Sequence, residues 1–276
     1  MVLKIASDVN INYIIAAYLF GIINLVLFGY VMYIIYRKLG ASVTLIETLE
    51  IVFISRLGVY IPGKIWYATN YYMLSKRLNI SGMLISQSFV LGNIFLFISG
   101  VVVALPFYFI HYDYIGIEIR SIVAILILMM LIAIHPSVLQ TIIKKVPIMK
   151  WYLQSSYFRS NTNRFYFFIL FMFFLLWILA GFKLYFCAVS IHKIDISQIY
   201  IVLSAASSSL LIGLLAIFAP AGIGVNESVA SLIMSNIMPV HTVILVVIIS
   251  RMMQIITELL FGIIAYYSLL SKRFAK

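Results

Sequence analysis

The sequence predicts an all-α polytopic membrane protein, an inverted repeat of two units that each carry a re-entrant, broken-helix hairpin. Three observations lead there. The 276 residues are 64% hydrophobic and only 10% charged, with a mean hydropathy of +1.14, far outside the range of soluble domains. Several apolar runs reach the roughly 20 residues that cross a bilayer. Two of the runs are broken, at Pro62-Gly63 and at Pro220-Ala221-Gly222, and the two prolines lie 158 residues apart.

Charge and cysteine content narrow the class further. The chain carries 19 Lys and Arg against 8 Asp and Glu. In so apolar a chain the excess reads as topogenic loop charge, not as a nucleic-acid surface. The lone cysteine, Cys187, rules out an intrachain disulfide and a cysteine-based metal site. It lies in an apolar run and reads as a small core residue. No acidic or Cys and His cluster has metal-ligand spacing, so neither a metal nor a cofactor is expected.

Taken in order, residues 1–10 hold one Lys and one Asp, and the apolar run behind them is too long for a cleavable signal peptide. That run, 11–36, is a full span of about 39 Å, stopped by Arg37-Lys38. Over 42–61 an arm contains Glu47, Glu50 and Arg56 before Pro62-Gly63 breaks it, and only 65–75 remains before Lys76-Arg77. Eleven helical residues cover about 17 Å, half the hydrocarbon core, which predicts a re-entrant hairpin. Its flanks are positive on both sides, so it opens toward the cytoplasm. Span 2, at 83–110, leads to an outer segment with Asp113, Glu118 and Arg120. Span 3, at 122–143, ends in a loop with Lys144, Lys145, Lys150, Arg159 and Arg164 and no acid, the strongest cytoplasmic marker. Span 4 covers 165–190. A second arm, 197–218, reaches the Pro220 break and leaves only 226–238, too short to cross alone. The last span, 240–270, ends at Lys272-Arg273, placing the C-terminus inside. For the charges to agree, the second hairpin opens outward.

One transmembrane domain therefore covers 1–276, with repeat unit one at 11–110, a linking span and cytoplasmic loop at 121–164, and repeat unit two at 165–270. The offsets between corresponding features are 154, 158 and 158 residues. Transporters built as inverted repeats place their substrate near the midplane, between discontinuous helices.

Chemistry is expected at the two tips. The helices beginning near Ile65 and Asn226 point their free N–H groups and positive dipole ends at the midplane, a ready site for phosphate. Lys64 sits at the first tip, with Arg56 about 12 Å earlier along the arm. Together they suit a phosphate or diphosphate, Arg by bidentate contact and Lys as a point charge. The other role for Arg56 is a pair with a buried carboxylate that holds the bundle together. Glu227 either caps its helix, contacts a cationic headgroup or couples to protons. Arg251, Gln254 and Glu258 form one polar stripe facing the bundle, where Arg251 pairs with Glu227 or Glu258, or contacts substrate. Glu47 and Glu50 fit a solvated vestibule, and Ser204, Ser207, Ser208 and Ser209 fit close helix packing.

Tyr60-Ile61-Pro62-Gly63-Lys64-Ile65-Trp66, then Pro220-Ala221-Gly222-Ile223-Gly224-Val225-Asn226-Glu227, then Arg251 with Glu258 resemble the lysylphosphatidylglycerol synthase transmembrane-region family. These are flippase-like modules of the MprF type. The resemblance covers most of the chain and implies a lipid translocase-like fold linked with cell-surface lipid or polysaccharide assembly. It implies no aminoacyl transfer, which belongs to a separate soluble domain. The residues expected to contact substrate are Arg56, Tyr60, Pro62, Gly63, Lys64, Trp66, Pro220, Gly222, Gly224, Asn226, Glu227, Arg251 and Glu258. Departures from the family are Asn226 where a basic residue is common, Asn70 and Gly92 where an Arg and a Glu are common, and one helix fewer at the start. They leave an anionic lipid-linked saccharide as plausible as a lysyl-lipid.

The expected function is thus a flippase-like translocase of a phosphate-bearing lipid or lipid-linked saccharide in a prokaryotic plasma membrane. Its partners would be anionic phospholipid or polyprenyl-phosphate-linked saccharide and envelope-biosynthesis proteins, with no nucleic acid. A membrane enzyme acting on lipid phosphates is the first alternative; it needs a base or nucleophile beside its phosphate clamp. His111, His135, His192 and His241 all lie far in sequence from both tips. A non-transporting scaffold of a polysaccharide-synthesis complex is the second.

Overall fold

The structure is a computed structural model that describes residues 10–61, 65–111, 163–216 and 219–274. Pro62, Gly63, Lys64, the expected span 122–143 and most of the cationic loop after it lie outside the described residues. Among the described residues the elements are all helical. They are α1 (Ile11–Lys38), α2 (Leu45–Arg56) running into a 3-10 turn (Leu57–Tyr60), α3 (Ile65–Arg77), α4 (Gly82–His111) and α5 (Asn163–Val189). After a 3-10 turn (Ile196–Gln198) come α6 (Ile199–Leu215), a second 3-10 turn (Pro220–Gly222), α7 (Val225–Met234) and α8 (Val240–Phe274). Five stretches are long and apolar enough to cross a membrane: Ile11–Lys38, Gly82–Ile110, Arg164–Val189, Ile196–Leu215 and Val240–Lys272. The protein is an integral membrane protein. Helices are the form an open chain must take in hydrocarbon, because each satisfies its own backbone polar groups.

Local chemistry sets the element ends. Asn10 caps α1 by accepting from the Asn12 N–H at 3.1 Å, and Arg37-Lys38 close it. At α2, Thr44 and Glu47 form a reciprocal capping box, the Glu47 N–H donating to Thr44 Oγ1 at 3.2 Å and the Thr44 N–H to Glu47 Oε2 at 2.8 Å. Before α6, Asp195 Oδ1 accepts from the Ser197 N–H at 2.8 Å. That bond holds the exposed carboxyl below its ordinary range. α6 ends at Leu215, and residues 217–218 of the expected arm lie outside the described residues. Ala216 leaves helical geometry at ψ 78°, and α7 ends at Met234, ahead of the turn into Pro239. With 10 residues, α7 spans only about 15 Å.

Two apolar clusters hold the bundle. One joins the later half of α1 (Phe28, Ile35, Tyr36) to α2, α3, the first half of α4 and the first half of α5, and reaches Ala265 of α8. The other gathers Ala17, Phe107, the end of α5, α6, α7 and the start of α8. Their separation follows from antiparallel packing of α1 on α5. The Asn10 N–H donates to Ser190 O at 3.0 Å, Phe20 stacks on Phe182, and Lys38 lies over Phe165 at the far end. Between helices in lipid, such contacts act mainly through packing, since tails and side chains are equally apolar.

Two expectations about polar residues change. Glu50 is buried and accepts from Ser268 Oγ at 2.6 Å and Lys272 Nζ at 2.7 Å, so it ties α2 to the end of α8 instead of facing a wet vestibule. Ser204 does more than pack. Pro106 removes a backbone donor from the last third of α4, and next to that break the Ser204 hydroxyl donates to Val103 O and accepts from the Phe107 N–H, both at 3.3 Å.

Candidate functional site

The polar layer between the two clusters is built outward from α8. Arg251, Gln254 and Glu258 share one face of that helix, as their spacing requires. Glu258 is 4% exposed, and a carboxylate at that depth needs matched donors. Arg56, the last residue of α2, supplies two of them to Glu258 Oε1, from Nη2 at 2.6 Å and from Nε at 3.0 Å. Tyr60, at the end of the 3-10 turn, donates its hydroxyl to Oε2 at 2.8 Å. Gln254 Nε2 adds a fourth bond at 3.0 Å. The guanidinium of Arg56 also lies 5.4 Å from the Phe28 ring centroid. Of the two roles open for Arg56, the pair with a buried carboxylate is present, and it forms part of a cavity wall.

The second tip meets the same helix with opposite sign. Arg251 Nη1 bonds Glu227 Oε1, and its Nη2 donates to Ala221 O at 2.9 Å. Glu227 Oε2 accepts from the Gly224 N–H at 2.7 Å. Glu227 is therefore both cap and ion-pair partner. The positive N-terminus of α7, expected to receive a ligand phosphate, is filled by this carboxylate from its own first turn. Asn226 donates weakly to Ala221 O at 3.4 Å and is enclosed by Gly213 and Gly222; a Cβ at Gly213 would fall 1.7 Å from Asn226 Oδ1.

A cavity of about 240 Å³ occupies the space between the tips. Of the residues expected at the site, Arg56, Tyr60, Asn226, Arg251 and Glu258 line it. Glu227 stands behind Arg251, and Pro220, Gly222 and Gly224 form the turn that presents Asn226. Trp66 is 45% exposed and does not line the cavity. Pro62, Gly63 and Lys64 lie outside the described residues. Gly92 lines the cavity against Met32.

Sequence reasoning missed Lys183, Asn24, Asn93, Tyr67 and Trp177, which also line the cavity. Lys183 was legible, as the only charge in the run from Phe165 to Ile191, and an ionisable residue within a span is a functional candidate by default. Its ammonium donates to Gln254 Oε1 at 3.2 Å. Asn24 and Trp177 carry no such signal. Asn24 Nδ2 donates to Leu176 O, and the Trp177 indole donates to Leu96 O and Ser99 Oγ, both at 3.0 Å. Comparisons with family models, curated proteins and solved structures give no match, so the family reading rests on the two break motifs.

Proposed function

We propose that the protein is a flippase-like translocase that passes the headgroup of a phosphate-bearing lipid or lipid-linked saccharide through this cavity, in envelope or polysaccharide biogenesis. The observation that carries the reading is a charge-lined cavity enclosed by apolar spans at the level where two helices are broken. Charge at that depth is costly to keep and is typical of a substrate path. The packing supports an inverted repeat. α2 packs on α8 as α6 packs on α4, α3 meets α4 as α7 meets α8, and α1 packs on α5 across the axis that would exchange the units.

Among the described residues, the end of the bundle where the first helix finishes carries Arg37, Lys38, Lys76, Arg77, Arg164 and Lys272 against Glu47 and Glu50, while the end near Ser190 carries Lys193 against Asp195, with His192 and His241. By the positive-inside rule the C-terminus is cytoplasmic. In this reading each tip is a gate, held to α8 by its own ion pair, and alternate loosening of the two pairs exposes the cavity to one side and then the other. The enzyme alternative draws little support here. Among the described residues the wall holds no His, Cys or Ser, its threonine, Thr257, donates its hydroxyl to Met253 O at 2.8 Å, and both oxygens of Glu258 already accept hydrogen bonds.

A scrambling assay in proteoliposomes tests the proposal, using fluorescent phosphatidylglycerol and polyprenyl-phosphate probes with wild type, Lys64→Ala and Glu227→Ala. Movement of one probe class, abolished in both folded variants, is the expected result. If no probe moves, the scaffold or enzyme alternative takes precedence.

A further inference from the structure

Among the described residues, the cavity wall carries one charge that the tip pairs leave over. Arg56 is matched to Glu258 and Arg251 to Glu227, whereas Lys183 has no carboxylate partner among the described residues and donates to a neutral amide. The orientation of that amide is dictated. A carboxylate only accepts, so Gln254 turns its NH₂ to Glu258; its carbonyl is then left for Lys183, which only donates. One of three ammonium protons is used in this way. Lys183 borders the main cavity and also a smaller one of about 60 Å³, and Asn226, Arg251 and Gln254 border both.

The rest of the wall adds a second chemistry. Asn24, Asn93 and Asn226 bring carboxamides, which both donate and accept and so match hydroxyl groups. Asn226 Oδ1 is buried and accepts no hydrogen bond among the described residues.

We propose that Lys183, oriented by Gln254, is the anion-binding residue of the cavity, and that it takes the phosphate of a headgroup whose hydroxyls meet Asn24, Asn93 and Asn226. The assignment of a lipid ligand rests on the translocase reading. Two sources share this chemistry, the glycerol phosphate of phosphatidylglycerol and the sugar phosphate of a polyprenyl glycosyl phosphate. A volume of about 240 Å³ is just under the roughly 300 Å³ at which pockets for drug-sized molecules begin. It admits one phosphate and one polyol unit and leaves the hydrocarbon chains in the bilayer. A lysyl headgroup would bring a like charge to Lys183 and is disfavoured.

The test is lipid binding to the full chain in detergent, followed by native mass spectrometry. Phosphatidylglycerol, polyprenyl phosphoglucose, lysylphosphatidylglycerol and phosphatidylcholine are compared on wild type, Lys183→Gln and Lys183→Arg, with a melting temperature for each protein. Wild type should prefer at least one of the first two lipids to the last two by about ten-fold or more, and the tighter of the two identifies the source. Lys183→Gln should lose about ten-fold for that lipid, and Lys183→Arg should keep most of the affinity. Folded Lys183→Gln that binds it undiminished overturns the proposal. So does wild type that shows no preference over phosphatidylcholine, a readout that stands even if Lys183→Gln does not fold. Binding with the expected pattern in protein that moves no probe removes the translocase reading and keeps the site. Probe movement that persists in Lys183→Gln at the wild-type rate removes the site and keeps the translocase.

Discussion

The two tips solve the same problem with opposite charges. The first sends a cation, Arg56, to Glu258 of α8, and the second sends a carboxylate, Glu227, to Arg251 of the same helix. Arg251 and Glu258 lie seven residues apart, two turns along one face. α8 thus acts as a common strut with one socket for each tip, and the signs prevent either tip from taking the other's place. The pairs differ in how much else depends on them. Glu258 gathers Arg56, Tyr60 and Gln254 on the cavity wall. Glu227 has one ion-pair partner and one backbone N–H, and Arg251 keeps a second acceptor in Ala221 O.

The sharpest way to break this comparison is to remove each carboxylate. Glu258→Ala strands Arg56 and a tyrosine hydroxyl at low exposure and should cost about 3–5 kcal/mol of stability. Glu227→Ala should cost less, about 2 kcal/mol, because Arg251 keeps its carbonyl partner. Unfolding in detergent, followed by circular dichroism, measures both, and equal losses would refute the asymmetry. Reversing the first pair, Arg56→Glu with Glu258→Arg, should recover part of the loss seen in each single variant.

A second contrast lies in two glycines. At the first tip a Cβ on Gly58 would lie 2.7 Å from the backbone at Trp66 and Tyr67, so Gly58 is needed for space. At the second, Gly224 has nothing within 4 Å but a φ of +83°, so it is needed for conformation. Gly58→Ala should cost about 1–3 kcal/mol through overpacking, and Gly224→Ala about 1–2 kcal/mol through strain. Asn separates the causes. It should be milder than Ala at 224, where it tolerates positive φ better, and worse than Ala at 58, where it is bulkier. The same order at both positions would mean one cause serves both tips.

The smallest effects belong to the caps ahead of α2 and α6. Thr44→Ala opens the capping box of α2 and should cost about 1 kcal/mol. Asp195→Ala should matter less, and in a pH-dependent way. The Ser197 N–H lowers the Asp195 carboxyl in the folded state, so its contribution is present above the unfolded value near ~3.9 and is lost as pH falls through the folded one. Melting curves of wild type and Asp195→Ala should differ near neutrality and converge in acid. A gap that persists in acid would assign it to packing.

The features of the molecule were not equally legible in the sequence. Helices were, because 20-residue apolar runs with cationic stops have one economical structure in a bilayer. The breaks were too, through Pro and Gly, and so was the α8 stripe through its spacing. Lys183 was overlooked because one cation barely moves the hydropathy of a 26-residue span. Glu50 was misread because its partner Lys272 is 222 residues away.

Composition and periodicity by themselves determined the class, the placement of the described spans and both helix breaks, since these follow from local preference and from the solvent. Only the tertiary structure decided that Arg56 meets Glu258, that Glu227 fills its own helix end, and that Lys183 is left without a carboxylate among the described residues. Each of these is a choice among several oppositely charged groups. Proximity across the bundle settles that choice, and sequence distance carries no trace of it.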